Sequence, residues 1–201
     1  YMDTEFEAKF FPVNKTEFRK KLKYLGAKLI FAERKMKTIL GDKRNNPRLR
    51  CDYIRIRNEG NLIRLSAKIH ASESGKLTDQ KETYVEVNDF DKTVEIIKRA
   101  GLKLTYYQEK LRETWKLDGA EIVIDTWPGL EPIIEIEADS KEKVKNIAKK
   151  MGFDWNKKIL TAAAEVFAKV YDLDIDEVLK KITNITFNNN PFKGMKKMWP
   201  K

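Results

Sequence analysis

Polar and apolar residues alternate with period two along six stretches of the chain, the pattern of strands with one dry and one polar face. In 4–11, Glu5, Glu7 and Lys9 share one face and Phe6, Ala8 and Phe10 the other. In 51–58, Tyr53, Arg55 and Arg57 oppose Ile54 and Ile56; in 62–70, Arg64, Ser66 and Lys68 oppose Ile63, Leu65, Ala67 and Ile69. Residues 82–88 set Glu82, Tyr84 and Glu86 against Thr83, Val85 and Val87, and 120–126 set Glu121, Val123 and Asp125 against Ile122 and Ile124. In 132–138, Ile133, Glu135 and Glu137 oppose Ile134 and Ile136. Residues 27–40 and 104–117 read as longer, mixed strands. Helices are predicted over 15–25, 92–100 and 141–151, each opening after Asn14, Asp91 or Ser140 and stopping at Gly26, Gly101 or Gly152. Each carries an apolar stripe: Phe18, Leu22 and Leu25; Val94, Ile97 and Ala100; Val144, Ile147, Ala148 and Met151.

The stretches 5–40 and 82–117 share an order of charged strand, helix, glycine and long strand, which predicts two strand–helix–strand units related by a pseudo-twofold. The last third differs. Residues 156–171 and 174–183 read as helices, with Ala162, Ala163, Val166, Phe167 and Val170 on one apolar face. A basic tail containing Lys193, Lys196, Lys197 and Trp199 follows, expected to be solvated. The division is therefore a main domain at 2–155 and a helical extension with its tail at 156–201.

The composition sharpens this picture. The 201 residues include 41 Lys+Arg and 31 Asp+Glu, a net charge of +10 that favours an anionic partner. Charged residues make up 36% of the chain, above the usual quarter or so, leaving room for charge inside the fold. One cysteine, Cys51, excludes an intrachain disulfide, and one histidine, His70, argues against a His-ligated zinc. Any metal would rest on carboxylates, hence a hard cation such as Mg²⁺ or Mn²⁺. No apolar run approaches the ~20 residues of a membrane span, no signal peptide is visible, and a cytoplasmic protein without a membrane partner is expected.

A lone Glu-x-Glu strand ordinarily faces water. Here the charged face recurs on six strands, while the opposite faces match the helices' stripes. Helices packed outside would turn the charged faces towards one another, an arrangement a closed barrel satisfies. A polar interior of both signs needs counter-ions, and a triphosphate with a divalent metal supplies them. Lys9, Arg55, Arg57, Lys68 and Arg112 could neutralise phosphate oxygens, with arginine offering bidentate donors. Glu5, Glu7, Asp125, Glu135 and Glu137 could hold the metal, which then bridges carboxylates to phosphates.

The strand Glu5-Phe6-Glu7-Ala8-Lys9 resembles the ExExK signature of the CYTH superfamily, the triphosphate tunnel metalloenzymes. The likeness continues in order through Arg55-Ile56-Arg57, Lys68, Glu82, Arg112, Asp125 and Glu135-Ile136-Glu137, across residues 2–155. It implies an α+β fold: a closed eight-stranded antiparallel β-barrel, the triphosphate tunnel, with helices outside and a C-terminal helical cap. It further implies triphosphate contacts from Lys9, Arg55, Arg57, Lys68 and Arg112. Metal ligation would fall to Glu5, Glu7, Asp125, Glu135 and Glu137, and catalytic roles to Glu5, Glu7, Lys9 and Glu82. In some relatives a C-terminal helix plugs the tunnel, and 157–171 is placed to do so. The turn Trp127-Pro128-Gly129-Leu130 departs from the shorter turn of many relatives.

The expected chemistry is in-line displacement at phosphorus. A phosphohydrolase acting on inorganic triphosphate, thiamine triphosphate or a nucleoside triphosphate is the leading expectation; a class IV adenylate cyclase is the alternative. A cyclase also needs an adenosine pocket, for which Tyr53, Tyr84, Tyr106 and Trp127 are candidate stacking residues. A non-catalytic nucleotide, polyphosphate or nucleic-acid binder fits the charge but leaves the carboxylates without a purpose. A monomer or homodimer is expected.

Overall fold

The computed structural model describes residues 6–70 and 80–200. Its elements run β1 (Phe6–Phe10), α1 (Lys15–Tyr24), β2 (Lys28–Asp42), β3 (Tyr53–Asn58), β4 (Ile63–His70), β5 (Gln80–Val87), α2 (Phe90–Arg99), β6 (Tyr106–Leu117), β7 (Ala120–Thr126), β8 (Ile133–Ala138) and α3 (Lys141–Lys150). A 3₁₀ turn at Trp155–Lys157, α4 (Ala163–Tyr171), α5 (Ile175–Lys181) and a short β9 (Asn184–Ile185) complete them.

The local chemistry explains the helix ends. Asn14, Asp89 and Ser140 each accept a hydrogen bond from a backbone N–H in the first turn. The second helix thus opens at Phe90, two residues before the sequence pattern placed it. Gly26 and Gly152 take left-handed φ values of 78° and 74°, which halts α1 and α3 where a side chain would be strained.

Eight strands form one antiparallel sheet in the order β1-β8-β7-β6-β2-β3-β4-β5, and β9 adds in parallel to the start of β6. Read outward from the β6–β2 pair, the order is β6-β7-β8-β1 on one side and β2-β3-β4-β5 on the other, as the internal repeat predicts. The sheet curls into a tunnel wall, but hydrogen bonds do not close it: among the described residues β1 and β5 are its end strands and do not pair with each other. The outer edge of β1 is used differently. Lys9 N donates to Ile159 O at 2.9 Å and Ile159 N donates to Lys9 O at 2.8 Å. This pairing holds the chain extended at Ile159, so the helix predicted over 156–171 begins only at Ala163.

Two apolar clusters hold the sheet. In the first, Ala8, Phe10, Ile122, Ile124, Ile134 and Ile136 on the outer face meet Phe18 and Leu22 of α1 and Val144, Ile147 and Ala148 of α3. Burying each large side chain contributes about 1.5–3 kcal/mol. The second covers one tunnel end, where Val166, Phe167, Val170 and Tyr171 of α4 meet Val178, Ile182, Phe192, Tyr106, Leu130 and Ile133. The tail is part of this cluster, contrary to the solvated tail expected. Phe192 stacks on Phe167 with centroids 4.5 Å apart, Trp199 stacks on Phe11 at 5.2 Å, and Met198 N donates to Val170 O. Its aromatic residues outweigh its lysines, and Lys197 pairs with Glu131 at the surface. The helix α2 covers little: only Thr93 is buried, and Val85 on β5 stays 55% exposed.

Candidate functional site

The strand register decides which charges meet. Glu7 lies opposite Glu137 and Lys9 opposite Glu135 on β1–β8, and Asp125 lies opposite Arg112 on β7–β6. Arg112 faces Arg34 across β6–β2, Arg57 faces Arg64 across β3–β4, and Lys68 faces Glu82 across β4–β5. Because side chains alternate between faces, these residues line the tunnel.

One wall is acidic. Carboxylate oxygens of Glu7, Glu135 and Glu137 lie within 4.8 Å of one another. Octahedral oxygens about 2.1 Å from a small divalent cation are separated by about 3–4 Å, so three hard carboxylates at this spacing fit Mg²⁺ or Mn²⁺. The Lys9 Nζ donates to Glu7 Oε1 at 2.6 Å. Burial and the neighbouring Glu135 push the Glu7 carboxyl above its ordinary range, against the pull of Lys9. Burial also acts against Glu135, but Lys9, Arg112 and Lys110 hold it well below the usual carboxylate range. Burial lowers the Lys9 ammonium, but Glu135 and Glu7 together keep it above its ordinary value.

The facing wall is basic and incompletely paired. Arg55 donates to Glu82 Oε1 at 2.6 Å, and Lys68 stands 3.7 Å from the other oxygen of Glu82. The buried Nε of Arg57 has no hydrogen-bond partner among the described residues. Burial, with Arg55 and Arg112 nearby, pushes its guanidinium down to about 9. A guanidinium does not give up its proton readily; the pressure is relieved by an anion. Buried nitrogens of Arg34, Arg55 and Arg64 also lack partners among the described residues.

The two walls meet at a bridge. Asp125 accepts from Arg112 Nε at 2.7 Å and Nη2 at 2.6 Å, and from Lys110 Nζ. Arg112 also reaches Glu135 at 3.6 Å. Despite burial, Arg112 and Lys110 hold Asp125 below the usual range. Burial and Arg112 push Lys110 down to about 7.

Of the residues singled out from sequence, Glu7, Glu135 and Glu137 converge. Asp125 stands beside them but is engaged with two cations. Glu82 stands on the basic wall with Arg55 and Lys68, apart from Glu7 and Lys9. Glu5 lies outside the described residues. Arg34, Arg64, Lys110 and Gln108 were not singled out as site residues, although the alternation that exposes Arg112 extends back through Lys110 to Gln108. Toward the covered end, a cavity of about 540 Å³ is lined by Arg55, Arg57 and Lys110, by Tyr53, Tyr106 and Trp127, and by residues of α4 and α5. Tyr84, the other candidate stacking residue, is 53% exposed beneath Arg64.

Comparison with known proteins agrees with this architecture. A family model described as the CYTH domain matches residues 3–171. No curated protein matches the chain. Among solved structures, a conserved hypothetical protein from Pyrococcus furiosus is 23% identical, with a TM-score of 0.66 over 79% of this chain and 97% of its own. A candidate adenylate cyclase from Vibrio parahaemolyticus is 12% identical, with a TM-score of 0.69 over 84% of this chain and 99% of its own. A candidate adenylyl cyclase from Hippeastrum with a dominant triphosphatase activity is 14% identical, with a TM-score of 0.50 over 83% and 94%. At these identities the likeness is one of fold. No helix among the described residues is long and apolar enough to cross a membrane.

Proposed function

The chain belongs to the CYTH family, and from that premise we propose that it is a metal-dependent enzyme hydrolysing the terminal phosphoanhydride bond of a triphosphate. One observation carries the reading: Arg57, half-buried among other guanidiniums with a buried Nε that has no partner among the described residues, shares a lumen with the carboxylates of Glu7, Glu135 and Glu137. Neither wall is electrically satisfied alone, and a triphosphate with a divalent cation satisfies both.

Each residue then has a task. Arg55, Arg57, Lys68 and Arg112 grip non-bridging oxygens and neutralise charge that grows on them as the phosphorus is displaced. Glu82 and Asp125 hold Arg55 and Arg112 in place before the substrate arrives. Glu7, Glu135 and Glu137 would hold Mg²⁺ or Mn²⁺, which supplies Lewis-acid neutralisation of the phosphoryl oxygens when bound. Glu7 and Lys9, hydrogen-bonded to each other, orient the attacking water and handle its proton. The aromatic cavity favours a second reading, cyclisation of ATP, because that reaction needs room for a nucleoside.

Incubation with Mg²⁺ or Mn²⁺ and inorganic triphosphate, thiamine triphosphate, ATP or GTP separates the readings. The proposal expects metal-dependent release of orthophosphate. Pyrophosphate with a cyclic nucleotide would instead establish the cyclase, and tight binding without turnover would contradict both.

A further inference from the structure

The arginines of the lumen do not share its carboxylates evenly. Arg55 has Glu82 and Arg112 has Asp125. Arg34, Arg57 and Arg64 gather instead around Glu59, just past the end of β3 that lies away from Tyr53 and the covered cavity. Arg34 Nε donates to the Glu59 backbone oxygen at 2.6 Å, and Arg64 Nη1 stands 3.8 Å from Glu59 Oε1. Arg57 lies opposite Arg64 in the β3–β4 register and is attracted by the same carboxylate. Each of the three keeps a buried nitrogen with no hydrogen-bond partner among the described residues: Nη1 of Arg34, and Nε of Arg57 and of Arg64. Arg34 lies over the Phe31 ring, 4.3 Å from its centroid, and Arg64 over the Tyr84 ring at 4.8 Å. These rings hold the cations in place without using their N–H donors. Glu86, opposite Arg64 across β4–β5, is exposed, where water and salt screen its charge. Glu59, Glu121 and Asp125 attract Arg34, yet burial, with Arg112, still holds its guanidinium below its ordinary value.

We propose that Arg34 and Arg64 form a second anion site, at the end of the tunnel away from α4, and that it receives the orthophosphate released by hydrolysis. Two guanidiniums with free N–H donors suit a small tetrahedral oxyanion. The inference rests on the hydrolase reading above. In that reaction water attacks the terminal phosphorus and the bond to the bridging oxygen breaks. Its electron pair stays on the departing diphosphate, the water oxygen stays on the orthophosphate, and a proton passes to solvent. The orthophosphate is then left between the metal-side carboxylates and Arg112, which stands 3.6 Å from Glu135. Arg34 faces Arg112 across β6–β2, one strand further along the wall. The Arg64 side chain is 38% exposed, so the same site meets solvent. At the other end, α4, α5 and the tail pack across the tunnel. The product thus has an anion-binding step on its way to bulk water that does not wait for the diphosphate to leave.

Phosphorus NMR of the full chain in EDTA, saturated with inorganic triphosphate and titrated with orthophosphate, tests the proposal without turnover. Orthophosphate is expected to bind without displacing the triphosphate. Arg34→Gln and, independently, Arg64→Gln should each weaken orthophosphate binding about 10-fold or more, the worth of a charged hydrogen bond, with a far smaller effect on triphosphate. Glu59→Gln removes the shared carboxylate and should tighten orthophosphate binding, a change of sign that a merely structural role would not produce. Orthophosphate that binds only by displacing triphosphate would overturn the second site, as would binding unmoved in either arginine variant or weakened in Glu59→Gln. Inorganic tetraphosphate that binds more tightly than triphosphate, with the gain lost in both arginine variants, would place a chain phosphoryl there and overturn the product role. Orthophosphate bound as expected, but none released from any triphosphate on adding Mg²⁺ or Mn²⁺, would overturn the hydrolase reading and leave the anion site standing.

Discussion

Arg57 concentrates the electrostatic problem the site has to solve. A half-buried guanidinium beside Arg55 and Arg112, whose buried Nε has no partner among the described residues, is costly unless an anion arrives. Arg57→Ala should therefore weaken triphosphate binding about 10- to 100-fold, the worth of a charged hydrogen bond, measured by calorimetry. On the opposite wall, Glu7→Gln and Glu135→Gln should each lower metal-dependent turnover about 100-fold or more while the thermal unfolding transition persists. Unchanged rates in both would remove them from the chemistry. At this scale the sequence was informative wherever charge and alternation coincided: Glu7, Lys9, Arg55, Arg57, Arg112 and Glu135 all face the lumen. It was less informative about partners. That Asp125 clamps Arg112 and Lys110, and that Glu82 serves Arg55, depend on cross-strand register, which alternation within one strand does not contain.

At the scale of elements, strands and helices were legible because period two and period 3.6 are local properties. The exceptions are places where tertiary contacts decide. Residues 156–162 carry a helical pattern, yet Ile159 is pulled into extended pairing with Lys9. Phe192 and Trp199 sit in a lysine-rich segment whose composition suggests solvation, yet they complete the cluster that seats α4 over the tunnel end. Phe192, 2% exposed and stacked on both Phe167 and Tyr171, is the direct test. Phe192→Ala should cost about 3–5 kcal/mol in urea unfolding, the usual loss for a buried aromatic ring. A change under about 1 kcal/mol would place the tail outside the cooperative unit.

For the whole molecule, the charges inside the tunnel tie stability to pH and to ligand. Asp125, Glu135 and Glu82 have folded-state carboxyls held below their ordinary values. Their contribution is present above the unfolded value of about 4 and is lost as pH falls through the folded ones. Glu7, raised by burial and Glu135, has the opposite sign: its contribution is present below the unfolded value and disappears as pH rises through the folded one. Three depressed groups against one raised group predict that the metal-free protein loses stability on acidification below about pH 4, where the carboxylates protonate. Urea midpoints between pH 3 and 7 measure this, and a midpoint that rises on acidification would contradict it. The seam between β1 and β5 belongs to this scale too. No single strand announces whether its outer edge pairs with a neighbouring strand or with a distant segment.

The central claim is that the acidic and basic walls together hold a metal and a triphosphate inside the tunnel. Anomalous scattering from a crystal containing Mn²⁺ and inorganic triphosphate measures this most directly. We predict a manganese peak among Glu7, Glu135 and Glu137, with phosphate density against Arg55, Arg57 and Arg112. Manganese and phosphate bound only on the outer surface, with the lumen free of both, would contradict the account.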